Sequence, residues 1–119
     1  MNHIKIELGE GRAAFVRQEI SVGQVEDMAF LEEFWVATAP DNRKNTYSMT
    51  PPIIACVERF EGYEDVDEWP KLDDDLSVDS PSIALRYSWI RHHLGLKSIM
   101  TLCEQIAELA NPSEKLEGN

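Results

Sequence analysis

The sequence predicts an α+β protein, mainly α, in which an N-terminal β-hairpin is followed by about four helices. Two observations carry this prediction. Residues 3–18 alternate polar and apolar side chains on both sides of a glycine-flanked turn, which is typical of a hairpin. The longer apolar segments after residue 20 repeat at helical spacing, and proline or glycine separates them into pieces of helix length.

The composition indicates one acidic globular domain. A chain of 119 residues with 43% hydrophobic residues can form one core, which we assign to residues 1–112, with residues 113–119 as a flexible tail. The net charge of −11 repels phosphate groups, so neither nucleic acid nor a membrane is expected as a partner. No signal peptide and no membrane span of roughly 20 apolar residues is recognised, so a cytoplasmic location is expected. Cys56 and Cys103 lie in apolar runs and are predicted to be buried thiols rather than a disulfide.

The predicted hairpin pairs residues 3–8 with residues 12–18. Gly9 and Gly11 flank the turn, where glycine readily takes the positive φ that short hairpin turns require. One face is expected to pack on the core through Ile4, Ile6, Leu8, Phe15 and, as a further candidate, Ala13. Because two strands alone are marginally stable in water, helices of the same chain or another chain must cover this face.

A helix is predicted to begin at Ser21, which matches a capping box with Gln24, and to end before Pro40. Its apolar positions cover two sides, a first row of Val25, Met28, Leu31 and Trp35 and a second row of Phe30 and Phe34. Core packing is the ordinary interpretation of such positions. A chain of this size has a limited core, however, so we predict that part of this surface contacts a second subunit or a client chain. The candidate contact residues are Phe30, Phe34 and Trp35.

The middle of the chain is predicted to be a polar loop, over residues 38–50, followed by a helix. Thr50 and Pro51 form an N-cap and first-turn pair, and Gly62 is suited to end the helix. The apolar side chains that this helix would bury are Ile53, Ile54, Val57 and Phe60. A strand over the run IIACV is the alternative, because the length of a short apolar run cannot decide between helix and strand.

Two helices are predicted at the C-terminal end. Ser80 and Pro81 repeat the cap-then-proline pattern and open a helix over residues 81–94, which Gly95 separates from the second helix. The second helix, residues 96–110, has the clearest amphipathic pattern of the chain.

Residues 58–79, the acidic segment, hold ten carboxylates against two basic side chains, a charge of −8 out of −11 for the chain. Aromatic side chains lie among these acids, whereas solvated acidic tails are poor in aromatic residues. We therefore predict a loop that Trp69 and Leu72 hold against the body of the protein. Three interpretations remain open: a loop for solubility, a face that binds a basic protein, or a mimic of the nucleic-acid backbone. The candidate contact residues of a binding face are Trp69, Asp73, Asp74 and Asp75.

The sequence contains no recognisable motif for catalysis, for a cofactor or for a metal. His92 and His93 are adjacent, and neighbours on a helix point about 100° apart, so they are predicted to be surface or structural histidines. The acidic segment does not fit the spacing of a calcium-binding loop, which requires glycine at its sixth position. We therefore predict that the protein is not an enzyme and carries no cofactor and no metal.

Three stretches of the chain resemble the tail assembly chaperones of long-tailed bacteriophages. They are the hairpin leading into VRQEISVGQVEDM, the pair RYSWIRHHL and SIMTLCEQIAEL, and the polar end NPSEKLEGN. The resemblance leaves residues 38–79 unmatched. It implies a non-enzymatic late protein of the host cytoplasm that self-associates and binds the tape-measure protein. Such a chaperone helps tail-tube subunits to assemble and does not remain in the finished particle.

A second hypothesis does not depend on this resemblance. The charge of the acidic segment suits a small acidic inhibitor, such as an immunity or anti-defence protein, that blocks a basic site on a partner protein. The exposure of Trp69 distinguishes contact from solubility, because a binding anchor is accessible at the surface.

Overall fold

A three-stranded antiparallel sheet and five α-helices make up the computed structural model, which describes residues 2–110. The strands are β1 (His3–Gly9), β2 (Arg12–Arg17) and β3 (Val57–Glu61), in the order β1-β2-β3. The helices are α1 (Val22–Phe30), α2 (Lys44–Met49), α3 (Pro51–Cys56), α4 (Pro81–His93) and α5 (Leu96–Ala110). The predicted class and the N-terminal hairpin are confirmed, and the tail predicted for residues 113–119 lies outside the described residues.

A β-bulge in the hairpin turns Phe15 away from the core. Gly9 pairs with Arg12 across the turn, and regular pairing from there would place Ile6 opposite Phe15. The register shifts by one residue just before Gly9, so that Ile6 pairs with Ala14 instead. Because a one-residue shift exchanges the two faces of a strand, the prediction that Phe15 faces the core was wrong. Ala14 takes that position and is fully buried.

The helix α1 begins with the predicted capping box. The Ser21 hydroxyl accepts a hydrogen bond from the Gln24 backbone N–H at 3.1 Å, and the Gln24 side chain accepts one from the Ser21 N–H at 3.1 Å. The helical path continues through a π-helical turn, Leu31–Trp35, and then a short 3₁₀ turn. The two ends of the π-helical turn, Leu31 and Trp35, are buried in the core.

The middle of the chain differs from the prediction in two respects. Residues 38–50 contain α2 instead of a continuous loop. The helix expected to run to Gly62 is α3, which ends at Cys56, and only the final valine of the run IIACV is in a strand. The chain extends there because Val57 pairs with Val16, so that β3 satisfies the backbone groups on the open edge of the hairpin.

Gly62 follows a strand and does not end a helix. Its φ is +88°, a left-handed conformation that glycine adopts without strain. A Cβ atom at this position would lie 2.4 Å from the carbonyl oxygen of Gly11. Gly62 therefore allows β3 to end in close contact with the turn of the hairpin.

One continuous cluster of apolar side chains joins the inner face of the sheet to the helices. Its largest fully buried members include Leu31, Ile53, Ile54, Ile83, Ile90, Leu102 and Ile106. The last two helices have the predicted positions, with a break at Gly95. Arg86 on α4 is the one charged side chain that is buried among residues 2–110. Within the same range, no helix combines the length and the hydropathy needed to cross a bilayer.

Candidate partner-binding surface

The acidic segment begins in β3. From the end of that strand to the start of α4 it forms no further helix or strand. Hydrogen bonds fix it to α4 and to Ser80, the residue that precedes this helix. The backbone N–H of Asp73 donates to the Ser82 hydroxyl at 3.0 Å, and the N–H of Ser77 donates to the Ser80 hydroxyl at 2.8 Å. Leu72 is partly buried against the core, as predicted. The backbone of the segment is therefore held against the body of the protein.

Arg86 makes the most extensive of these attachments. Its side chain is 6% exposed, and its Nε donates to the Pro70 carbonyl oxygen at 2.6 Å. Its Nη1 donates to the carbonyl oxygens of Ile54 at 2.6 Å and Val57 at 3.3 Å. Burial lowers the pKa of the guanidinium to about 10, so the group still carries its charge at neutral pH. One arginine thus ties the acidic segment to the end of α3 and the start of β3.

Four aromatic rings form a cluster between β3, the acidic segment and α4, and they are Phe60, Tyr63, Trp69 and Trp89. Phe60 stacks on Trp89 with ring centroids 4.5 Å apart. Trp69 meets these two rings edge-on at 4.9 and 5.1 Å, and Tyr63 meets them edge-on at 5.6 and 5.2 Å. Edge-to-face contacts of this kind are favourable, so each ring fixes the orientation of the others.

Both indole N–H groups of this cluster bind backbone carbonyls. Trp69 Nε1 donates to the Val57 oxygen at 3.0 Å, and Trp89 Nε1 donates to the Asp67 oxygen. The guanidinium of Arg86 lies 4.5 Å from the centroid of the Trp69 ring. Trp69 is therefore a half-buried attachment, as predicted, and its ring is part of a shared aromatic surface rather than a separate projecting anchor.

Most carboxylates of the acidic segment are exposed. Glu58 pairs with Arg17 at 2.8 Å, and Glu61 pairs with Lys5 at 3.2 Å. The hydrogen bond that Lys5 donates to the Glu61 carboxylate raises the pKa of Lys5. The other eight carboxylates form no ion pair with any residue in the described range, so the unpaired charge is concentrated beyond β3. This group includes the predicted contact residues Asp73, Asp74 and Asp75, all of which are exposed.

A depression of about 520 Å³, the aromatic pocket, opens between β3 and residues 63–69. The four clustered rings line it together with the carboxylate residues Glu58, Glu64, Asp67 and Glu68. Arg59 is the one basic residue of the lining, and its guanidinium lies 3.7 Å from the centroid of the Phe15 ring on the outer face of the sheet. The pocket thus combines an aromatic floor with an acidic rim.

A second depression of about 510 Å³ shares part of this lining and extends along α4. Its lining consists of Asp67, Glu68, Pro70, Leu85, Ser88, Trp89, His92 and His93. His92 Nδ1 lies 2.7 Å from the Ser88 carbonyl oxygen, and the His93 ring packs edge-on against Trp89 at 5.0 Å. Both histidines therefore have local partners within α4.

Neither a metal-binding cluster nor an activated thiol occurs among residues 2–110. Within residues 2–110, no three side chains of His, Cys, Asp or Glu are arranged to hold a metal ion. Cys56 and Cys103 are free thiols, and burial raises their pKa to about 12 and about 11. Both are protonated at neutral pH, so neither thiol is an activated nucleophile.

The candidate residues of the first helical stretch lie apart from the acidic segment. Trp35 is 3% exposed and stacks on Tyr47 with centroids 4.3 Å apart, so it belongs to the core and offers a partner no surface in this fold. Phe30 is half-buried and contacts Phe34 at 5.5 Å, while Phe34 is 50% exposed. No ring contact or hydrogen bond in the described range joins this pair to the acidic segment, so the predicted residues form two separate surfaces.

Two residues that organise the surface, Arg86 and Trp89, are missing from the residues predicted to act there. The spacing of Arg86 from Ile83 and Ile90 is a signal that could have identified the first, since all three lie on one side of a helix. Arginine at such a position needs acceptors inside the protein, and the acidic segment supplies one of them through Pro70.

We found no protein-family model, no curated protein and no solved structure that matches this chain.

Proposed function

We propose that this protein is a small non-enzymatic inhibitor that binds a basic site on a partner protein through the acidic segment. One observation carries the proposal: the segment is tied to the body by Arg86, Trp69 and Trp89 while its carboxylates remain exposed. Trp69 itself is half-buried and is not the projecting anchor expected of a contact residue, so the proposal depends on the exposed carboxylates that the attachments hold in place. An immunity or anti-defence protein is the kind of inhibitor that fits.

The physical basis of this function is a preorganised field of negative charge. Clustered unpaired carboxylates attract a basic partner and accelerate its association. Because the backbone of the segment is already held in place, binding does not have to order it, and this part of the entropic cost of association is avoided.

Selection of a random displayed peptide library on the immobilised protein tests the proposal. We expect the enriched peptides to contain several Arg or Lys residues. A triple variant of the acidic segment, Asp73→Asn, Asp74→Asn and Asp75→Asn, should lose most of this enrichment.

A second triple variant serves as the matched control, because it changes the net charge equally on exposed positions of the first helical stretch. It consists of Glu26→Gln, Glu32→Gln and Glu33→Gln. If both variants lose enrichment to the same degree, or if apolar peptides without basic residues are enriched, the acidic segment is not the binding site.

A tail assembly chaperone of long-tailed bacteriophages is the second function that we propose. The observation that favours it is a set of large apolar side chains exposed on helices. Val22 is 76% and Phe34 50% exposed, and Leu96 and Met100, one turn apart on α5, are 59% and 61% exposed. A chaperone for a long helical client such as the tape-measure protein needs apolar helix surface of this kind.

Co-expression with a tape-measure fragment tests this second function. We expect the protein to keep the fragment soluble and to elute with it, and also to elute as an oligomer on its own. A Phe34→Ser, Met100→Ser variant should lose both properties and remain folded. A fragment whose solubility and elution do not change in the presence of the protein would rule this function out.

A further inference from the structure

We propose that the aromatic pocket is a subsite for an arginine side chain of the partner. This inference rests on the proposed inhibitory function, because it names the group that the acidic surface recognises. It can fail while that function holds, since a basic partner could also bind through charge alone.

The floor of the pocket consists of aromatic rings, and its two indole N–H groups are not free to bind a ligand. Both indole N–H groups already donate to backbone carbonyls, Trp69 to Val57 and Trp89 to Asp67. Phe60 stacks on Trp89 with centroids 4.5 Å apart, so no gap remains between these rings. Tyr63 and Trp89 are buried, at 8% and 4% exposure, so the accessible part of the floor is the half-buried pair Phe60 and Trp69. A flat aromatic surface suits the stacking of a planar group, whereas a compact ammonium group is bound by a cage of rings.

The rim supplies carboxylates that are not used elsewhere. Glu58 is paired with Arg17, and Glu64 Oε1 accepts a hydrogen bond from the backbone N–H of Gly62 at 3.2 Å. In contrast, the carboxylates of Asp67 and Glu68 accept no hydrogen bond and form no ion pair within the described part of the chain. Two free carboxylates thus lie beside an aromatic floor.

This combination matches a guanidinium better than an ammonium group. A guanidinium is planar and weakly hydrated, stacks on aromatic faces and donates to carboxylates from its edge, whereas an ammonium is a compact, strongly hydrated charge. Two rings of the cluster already carry a guanidinium within the protein. Arg12 lies 4.6 Å from the centroid of Tyr63, and Arg86 lies 4.5 Å from the centroid of Trp69. These contacts show that rings of this cluster pack against a guanidinium. The faces that they use are occupied within the protein, so the arginine of the partner stacks on the remaining accessible surface of Phe60 and Trp69.

Nuclear magnetic resonance of the indole N–H groups tests the subsite directly, because the chain has three tryptophans. Trp69 and Trp89 line the pocket, whereas Trp35 is buried in a different ring cluster and serves as an internal control. The probe is the capped pentapeptide Gly-Gly-Arg-Gly-Gly, compared with the same peptide carrying lysine or the neutral isostere citrulline. We expect the arginine peptide to shift the signals of Trp69 and Trp89 and to leave Trp35 unchanged. The lysine peptide should bind more weakly than the arginine peptide by a factor of about three or more. The citrulline peptide should cause no shift.

Matched variants separate the subsite from general attraction by charge. Asp67→Asn combined with Glu68→Gln should weaken binding of the arginine peptide by about fivefold or more. Glu32→Gln combined with Glu33→Gln changes the net charge equally on exposed positions outside the pocket lining, and should leave this binding nearly unchanged.

Two results would overturn the subsite. One is equal binding of the arginine and lysine peptides, or equal weakening by the two double variants, because either result shows attraction by charge alone. The other is the absence of a shift at Trp69 and Trp89 with the arginine peptide. Both results leave the proposed function intact as long as the library selection still enriches basic peptides, whereas loss of that enrichment refutes the function itself.

Discussion

Replacement of Arg86 by methionine tests how the acidic segment is held in place. Methionine keeps an unbranched side chain in the same buried space but removes the charge and all donors. The two short hydrogen bonds, to the carbonyl oxygens of Pro70 and Ile54 at 2.6 Å, are then lost together with the guanidinium over Trp69. We expect a destabilised protein in which the acidic segment is loosened more than the rest of the fold.

The size of the effect follows from two opposing contributions. A hydrogen bond from a charged donor contributes about 1.5–3 kcal/mol, so two of them contribute about 3–6 kcal/mol. Burial of the guanidinium opposes this, because lowering its pKa from 12.5 to about 10 corresponds to about 3 kcal/mol at neutral pH. The difference is about 0–3 kcal/mol, so Arg86→Met should lower the free energy of unfolding by up to about 3 kcal/mol.

Urea unfolding followed by circular dichroism measures the global change, and hydrogen exchange of the Trp69 indole N–H reports the segment. Arg91→Met is the matched control, because Arg91 is exposed on the same helix, and its effect should stay within about 0.5 kcal/mol. Arg86→Lys keeps the charge but lacks the planar fork of donors, so it should also be destabilised. Wild-type stability and unchanged indole exchange in Arg86→Met would refute the reasoning.

Three further outcomes are expected from the structure. In urea unfolding, Gly62→Ala should destabilise the protein far more than Gly9→Ala. Both glycines have a positive φ (+88° and +89°), but of the two only Gly62 lacks room for a Cβ. Equal losses of unfolding free energy would show that φ alone matters. Trp35→Ala should cost about 3–5 kcal/mol in the same assay and Phe34→Ala less than about 1 kcal/mol, because only the former is in the core. Burial raises the pKa of the Cys56 and Cys103 thiols in the folded protein above the ordinary value of 9.0. As the pH rises above 9, the thiols of the unfolded chain lose their protons first, so the free energy of unfolding falls. Between pH 9 and 10 each thiol should cost about 1 kcal/mol of stability, and Cys103→Ala should remove about half of that combined loss.

Local signals in the sequence predicted the elements that depend on local interactions. The capping box of Ser21 and Gln24 and the proline at the start of α4 are examples, because each acts within one turn of helix. The run VERFE at the start of the acidic segment depends instead on a distant partner. Its apolar spacing suits a helix, but the open edge of β2 accepts it as a strand. Phe15 was misplaced for a similar reason, since one bulged residue in β1 reverses the faces and leaves no clear signal in the composition of the turn.

The candidate surface was predicted in part. The mixture of acids and aromatic residues correctly indicated that Trp69 and Leu72 attach the acidic segment to the body. The role of Arg86 was missed because arginine is rarely buried, so nothing in the sequence analysis singled this residue out. Trp35 was proposed as a contact residue because helical spacing alone does not show how much of a broad apolar arc the core can cover.

The attachments also explain how the chain tolerates so much like charge in one connection. Eight unpaired carboxylates repel one another, and repulsion of this kind favours an extended, solvated loop. Opposing it are one buried guanidinium and two indole N–H groups, which all bind backbone carbonyls and leave the carboxylates free. A chain that needed only solubility could carry the same charge without a buried arginine, whose desolvation is unfavourable. The cost is consistent with a surface whose charges must be held in one arrangement, and a fixed arrangement is what recognition of a basic partner requires.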